Sequence, residues 1–173
     1  MKELLDYDTA ASQFYKKSNF TYFSLSAWDL SGIFFDETCK EHKSLNELKV
    51  LASRNKWKKE PSYHRTALDE GLVIVVTDPN LKIVHTTSNI TKMNGYTPEE
   101  VKGKSPNIFQ GEKTDKRSKA KIYNAIRQNK PFETTLVNYR KDGSIYKCWI
   151  KAEPIFNKKG VLTNFIAYEK AVA

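Results

Sequence analysis

The spacing of hydrophobic residues changes near residue 70. Before it, apolar residues recur every three or four positions, as Trp28, Leu30 and Ile33 do, which is typical of amphipathic helices. After Gly71 the chain begins with a continuous apolar run, Leu72 to Val76, which indicates a strand buried on both faces. The pattern therefore predicts two parts, a helical extension over residues 1–70 and a domain over residues 71–173.

The extension contains signals for several helices. Ser44 followed by Glu47 has the spacing of a capping box, so we expect a helix to start at Ser44, after an earlier helix over residues 27–42. Residues 3–17 form another short amphipathic segment. Pro61 is suited to open a last helix over residues 62–70, which Gly71 would end.

The second part contains strands on both sides of a helical segment. The turn residues Thr77 to Asn80 join the run at Leu72 to a second strand over 81–86, which predicts a hairpin. Glycines and prolines break residues 88–128 into short helices, and Thr114 is placed to cap the longest. Three strands follow at 132–140, 145–154 and 161–169, so we predict an α+β fold with a five-stranded antiparallel sheet and short helices on one face.

Alternation along the last three strands separates two faces of the sheet. Asn138 and Cys148 share one face, which we expect the helices to cover. The opposite, outer face is too aromatic to remain in water, and either the N-terminal helices or a second subunit would cover it. Its candidate interface residues are Trp149, Tyr139, Val137, Ile166 and Tyr168.

Charge is distributed unevenly along the 173 residues. The formal net charge is +9, and all of it lies after residue 70. Residues 102–130 hold nine Lys or Arg against Glu112 and Asp115. A solvated helix face is the preferred interpretation, and an anionic ligand or acidic partner is the alternative. Nucleic acid binding is not expected, because no nucleic-acid-binding motif accompanies the charge.

Other functional classes find little support in the residues. His42, His64 and His85 are too scattered to predict a metal site. Neither a catalytic triad nor a carboxylate pair can be recognised, so no enzyme is expected. There are only two cysteines, no membrane-length apolar run and no secretory signal. We therefore expect a cytoplasmic protein that does not associate with membranes.

Three segments carry a family resemblance. These are Val73 to Asp78, Asn94 to Lys104 and Asn138 to Ser144, and in this order they resemble a PAS domain. The flavin-binding LOV branch and the redox-sensing flavin PAS domains are the most similar relatives. The resemblance covers residues 71–173. It implies a sensory module that places a small molecule between sheet and helices and signals through the outer face of the sheet, to a protein partner or within a homodimer.

The resemblance also identifies the positions at which LOV domains bind flavin. The photoreactive cysteine of that branch is replaced by Pro106, so no cysteinyl–flavin adduct is expected. The two phosphate-binding arginines correspond to Asn107 and Tyr123. The amides Asn138 and Gln110 are retained, but the other two amide positions hold Cys148 and Glu169. The candidate pocket positions are Asn138, Gln110, Cys148, Glu169 and Asn107.

Two alternatives remain open for the pocket. Gly103 to Pro106 resembles a segment of FAD-binding redox PAS domains, which is compatible with an FMN or FAD sensor that forms no adduct. In the second alternative, the domain is a structural interaction module whose pocket is filled by Phe109, Phe132 and Phe165. A pocket without cofactor is the preferred of the two. The leading function is a sensory PAS module that acts by protein–protein interaction.

Overall fold

Most of the first described segment, residues 28–58, is one long helix. The computed structural model describes residues 28–58 and 70–172, and its first element is helix α1, Trp28–Arg54. The predicted start at Ser44 is wrong, because the Ser44 hydroxyl donates to the carbonyl oxygen of Glu41 at 2.8 Å. A serine can bond in this way to the preceding turn inside a continuous helix. The helices predicted at 3–17 and 62–70 lie outside the described residues.

The chain divides into two compact units, and the boundary lies between Glu47 and Leu48. The second unit, which carries all the strands, contains a five-stranded antiparallel sheet with the order β2-β1-β5-β4-β3. This confirms the predicted fold class. The strands are β1 Val73–Thr77, β2 Ile83–Thr86, β3 Phe132–Tyr139, β4 Ile145–Phe156 and β5 Leu162–Val172.

Short helices connect β2 to β3. They are α2 Ile90–Asn94, α3 Pro98–Val101, a 3₁₀ turn Pro106–Phe109 and α4 Lys116–Arg127. The cap of α4 is Asp115, whose carboxylate accepts from the Ser118 N–H at 2.7 Å. The prediction of Thr114 as the cap is wrong, because its hydroxyl accepts from the N–H of Gly111 at 2.9 Å and donates to the carbonyl oxygen of Val137 on β3 at 2.7 Å. These two contacts occupy the hydroxyl that would have capped the helix.

The two faces of the sheet pack against different partners. Val73 and Val75 of β1 form one cluster with residues of β2 and the short helices, including Ile90 and Phe109. The other face of β1, with Ile74 and Val76, belongs to a second cluster that contains Leu48, Ala52, Trp57, Ile166 and Tyr168. The alternation predicted from the sequence is confirmed. The last turns of the chain's own helix α1 pack on the β1 and β5 half of the outer face.

The residues that follow α1 are fastened to the β4–β5 hairpin. The N–H of Lys58 donates to the carbonyl oxygen of Phe156 at 2.9 Å, and the N–H of Lys158 donates to that of Lys56 at 3.0 Å. Trp57 forms an antiparallel bridge with Asn157 between these two bonds. The helix end and the hairpin are therefore held by backbone as well as by apolar contacts.

Candidate functional site

A group of polar side chains is buried on the helix-covered face of the sheet. Asn138 on β3 pairs with Tyr146 on β4, and Cys148 follows two residues later on the same face. Glu169 on β5 pairs with Ile150 of β4, the next position on that face. Because strand side chains alternate, these four side chains point toward the helices. Asn138 is 2% exposed, Cys148 0% and Glu169 5%.

Asn94 brings a fifth polar side chain to this group from the helical layer. It is the last residue of α2 and is fully buried. Gly95 ends the helix in the left-handed conformation, with φ of 80°. The Asn94 Oδ1 atom accepts from the N–H of Tyr96 at 3.1 Å, while its backbone oxygen accepts from Lys141 at 2.9 Å. Asn94 is thus fixed against the β3–β4 turn.

Three buried atoms of this group have no hydrogen-bond partner. They are Oδ1 of Asn138, Oη of Tyr146 and Nδ2 of Asn94. Burial raises the pKa of the Tyr146 hydroxyl, and the Asn138 and Asn94 amides oppose this as weak hydrogen-bond partners, although no contact among the three atoms has full hydrogen-bond geometry. Leaving one buried polar group unpaired costs about 1–3 kcal/mol. Three such atoms around one point indicate a place where a polar ligand edge fits.

Glu169 interacts with the thiol of Cys148. The Sγ atom donates to Oε2 of Glu169 at 3.8 Å. Burial raises the pKa of Glu169 to about 7, and the thiol hydrogen bond opposes this only in part. Burial, and then the charge of Glu169, raises the pKa of the Cys148 thiol. Both shifts favour the uncharged forms of the two side chains.

Arg140 lies next to the group but is engaged elsewhere. Its guanidinium is 4.6 Å from the ring centroid of Tyr146. Its Nε donates to the carbonyl oxygen of Met93 at 3.1 Å, and a terminal nitrogen lies 3.4 Å from Ser144 Oγ and the Ile145 carbonyl oxygen. It forms no ion pair with Glu169. The cation thus orients the Tyr146 ring without neutralising the acid.

The remaining candidate pocket positions are not part of this group. Asn107 lies in the 3₁₀ turn and is exposed, and Gln110 follows the turn and is half-buried. Tyr123, at the other expected phosphate position, is 59% exposed. The structure brings Asn138, Cys148 and Glu169 together and leaves Asn107 at the surface.

Sequence reasoning did not single out Asn94 and Tyr146 as site residues. The sequence could have identified Tyr146 as a site residue, since strand alternation places it on the same face as Cys148. No sequence signal could have identified Asn94, because its approach to β3 depends on how α2 packs. Of the aromatic residues expected to fill the pocket, Phe109 and Phe165 are buried. Phe132 is half-buried and lines a groove near the β3 edge.

The outer-face candidates divide into covered and open residues. Ile166 and Tyr168 are buried in the cluster that holds the end of α1. Val137 and Trp149 are half-buried, and Trp149 Nε1 donates to Glu133 Oε1 at 3.0 Å. Tyr139 uses its hydroxyl to accept from the N–H of Lys113 at 2.9 Å. A groove of about 580 Å³ lies beside Trp149, also lined by Leu72, Phe132, Lys151, Glu153 and Tyr168.

The described residues show two further features relevant to function. Among them, no group of His, Cys, Asp or Glu is arranged to hold a metal ion. No helix of residues 28–58 or 70–172 is long and apolar enough to cross a membrane. The basic residues of α4 lie mostly on its exposed side, and none of the twelve residues of this helix is buried. The helix therefore covers the sheet only loosely.

Comparison with known proteins identifies related domains. A family profile for the PAS domain matches residues 69–170. Protein TWIN LOV 1 of Arabidopsis thaliana is 38% identical over 102 residues, which are 57% of this chain and 26% of that protein. The blue-light photoreceptor of Listeria innocua is 33% identical over 102 residues, 57% of this chain and 40% of that protein. The matched regions thus span well under half of these relatives.

A solved structure shows the same fold. The dark structure of the blue-light photoreceptor Aureochrome1 LOV superposes with a TM-score of 0.59 at 28% sequence identity. The superposition covers 66% of this chain and 87% of that one. Sheet and short helices are therefore arranged as in a LOV domain.

Proposed function

The chain belongs to the PAS domain family, and we propose that it is a sensory module that binds a small molecule between its sheet and its short helices and signals through protein–protein contact. The observation that carries this proposal is the set of unpaired buried atoms on Asn138, Tyr146 and Asn94. No enzymatic step is part of the proposal.

The positions of these atoms favour a ligand over a collapsed pocket. Asn138 and Tyr146 belong to the sheet, whereas Asn94 belongs to the helical layer above it. A molecule between the layers can bond to both at once. In a purely structural module, apolar side chains at these positions would avoid the cost of the unpaired groups. Buried polar residues kept without partners are better explained by recognition.

Strand β5 offers a physical connection from the pocket to the outer face. Glu169 points into the pocket, while its neighbour Tyr168 packs on the other side of the sheet in the cluster of Leu48 and Ala52. A ligand that shifts β5 would alter the packing of the α1 end. It can do so only if it binds the two arrangements with different affinity. We propose the open part of the outer face around Trp149 as the contact with a protein partner or a second copy.

Flavin is the second candidate, because the relatives named above are LOV proteins. The residues fit the polar edge of a flavin ring at Asn138, Cys148 and Glu169, provided that Glu169 is neutral. They fit the phosphate less well, since Asn107 is exposed and uncharged. A bound flavin would supply visible-light absorption and redox chemistry. Pro106 offers no thiol for an adduct, so this chain would hold the ring through hydrogen bonds alone.

The test begins with the purified protein and whatever it carries. We expect a compound released by denaturation and detected by mass spectrometry, or a rise in melting temperature with added FMN, FAD or riboflavin. The visible absorption of a flavin would establish the second candidate. Asn138→Leu should abolish the effect, whereas Asn124→Leu on the exposed side of α4 should not. Failure to detect either a retained compound or flavin uptake would contradict ligand binding.

A further inference from the structure

Among the residues whose side chains the structure describes, Glu169 is the only buried acidic one. It lies in the middle of the sheet, paired with Val73 of β1 on one side and Ile150 of β4 on the other. An ionised carboxylate without a cation or several hydrogen bonds is strongly disfavoured at such a site. The protonation state of Glu169 therefore affects the binding of any molecule next to it.

The groups that face Glu169 do not neutralise it. From β4 it faces the Cys148 thiol and, further along, the Tyr146 hydroxyl, both protonated at neutral pH. Its β1 partner Val73 has no charge, and neither do the neighbouring inner residues of β5, Ala167 and Ala171. The polar residues from β3 and α2, Asn138 and Asn94, are neutral amides. Arg140, the cation on this side, bonds to Met93 and to the β3–β4 turn instead.

The two protonation states of Glu169 offer a ligand opposite chemistry. The neutral acid has an O–H that can donate to a carbonyl, whereas the carboxylate can only accept. The unpaired Oδ1 of Asn138 is an acceptor for an N–H. A cyclic amide or imide that reaches from Asn138 to Glu169 offers an N–H to the first and a C=O to the second. The carboxylate would repel the carbonyl of the same molecule.

We propose that Glu169 gates the pocket through its protonation state: the neutral acid admits a small molecule with an amide-like edge, and the carboxylate excludes it. The inference rests on the proposed ligand-binding function and adds its regulation. Burial raises the pKa of Glu169 to about 7, so the gate operates close to neutral pH. Occupancy of the sensor then reports pH as well as ligand concentration.

The linkage gives a quantitative expectation. Only the neutral fraction of the protein is competent to bind, so the apparent dissociation constant rises as that fraction falls. With a pKa of about 7, the neutral fraction falls roughly tenfold from pH 6 to pH 8. Binding of the ligand must in turn raise the pKa of Glu169, because it selects the protonated form.

The experiment measures binding of riboflavin, FMN and FAD at pH 6 and pH 8 by fluorescence titration. The wild-type affinity should fall about tenfold between them. Glu169→Gln, which can donate at both pH values, should bind equally at each, and Asn138→Leu should bind at neither. A wild-type affinity that is independent of pH, or an unchanged pH dependence in Glu169→Gln, would overturn the gate while leaving ligand binding intact. Binding of no probe at either pH would overturn both.

A direct measurement keeps the inference testable if a variant fails to fold. Carbon NMR of glutamate-labelled wild-type protein follows the Glu169 carboxyl through its titration. We expect a midpoint near neutrality in the free protein and a higher midpoint with saturating probe. A midpoint near the ordinary value of glutamate, or one that a bound probe leaves in place, would overturn the proposal.

Discussion

The indole Nε1 of Trp57 donates a 2.9 Å hydrogen bond to the side-chain oxygen of Asn164, across 107 residues of sequence. The same oxygen accepts from Nδ2 of Asn55 at 2.7 Å, and Nδ2 of Asn164 donates to the carbonyl oxygen of Thr77 at 3.0 Å. Asn164 thus joins the residues after α1 to both β5 and β1. Both the oxygen and the nitrogen of this buried amide are paired, in contrast to the unpaired amide atoms on the other face.

Replacing Asn164 with Ala should weaken the fold substantially. The substitution removes three hydrogen bonds and leaves the Trp57 N–H buried without a partner, so we expect a loss on the order of 2–4 kcal/mol in the free energy of unfolding. Urea unfolding measures it. Asn124→Ala on exposed α4 is the matched control and should change little. A loss in Asn164→Ala no larger than that of the control would show that the joint is not stabilising.

The sequence predicted the strands well and the polar contacts poorly. Leu72 to Val76 has a local signature that any buried strand would show, and the period of two placed Asn138 and Cys148 on the correct face. Ser44 and Thr114 have the composition of helix caps, but α1 continues through Ser44, and the Thr114 hydroxyl is occupied by Gly111 and Val137. The partners of Asn164 and the approach of Asn94 to Tyr146 depend on tertiary packing, which leaves no trace in local sequence.

Glu169 should make the stability of the protein depend on pH. The folded chain holds the Glu169 proton up to about pH 7, whereas the unfolded chain releases it near the ordinary value of 4.5. The unfolded state therefore binds fewer protons between these values, and stability should fall as pH rises through this window and level off above it. The full effect is on the order of 3 kcal/mol.

Glu169→Gln isolates this contribution, because the neutral amide does not titrate. Urea unfolding of both proteins at pH 5, 6, 7 and 8 should show the wild type losing stability relative to the variant as pH rises. Other titrating groups are common to the two proteins and cancel in the difference. Parallel pH profiles of the two proteins would mean that Glu169 does not cause the pH dependence of stability.

The open half of the outer face can be tested by placing a charge at its centre. Trp149 is half-buried, with Nε1 on Glu133 and its ring 5.3 Å from the Lys170 ammonium. If this surface binds a second copy, Trp149→Arg should convert a dimer to a monomer, because an unpaired charge is costly in an interface. Size-exclusion chromatography with light scattering measures the mass, with Val161→Arg in the exposed β4–β5 turn as control. A monomeric wild type, or an unchanged dimer in Trp149→Arg, would contradict self-association here.

Gly111 is the point where the segment before α4 meets the ring of Tyr139. A Cβ added at Gly111 would lie 2.5 Å from Cε2 of that ring and within 2.8 Å of two more of its carbons. The Tyr139 hydroxyl meanwhile holds the N–H of Lys113, so the ring cannot move without losing this bond. We expect Gly111→Ala to cost about 1–3 kcal/mol, as overpacked sites do, measured by urea unfolding.

A double-mutant cycle distinguishes this steric cause from a backbone effect. The φ angle of Gly111 is not among the positive values, so alanine is compatible with its backbone and should by itself restrict the unfolded chain favourably. In a Tyr139→Leu background, where the ring is gone, Gly111→Ala should therefore cost little or even stabilise by up to about 1 kcal/mol. The two substitutions should thus couple strongly, because each acts on the other's contact. An equal cost of Gly111→Ala in both backgrounds would show that the ring is not what requires a glycine.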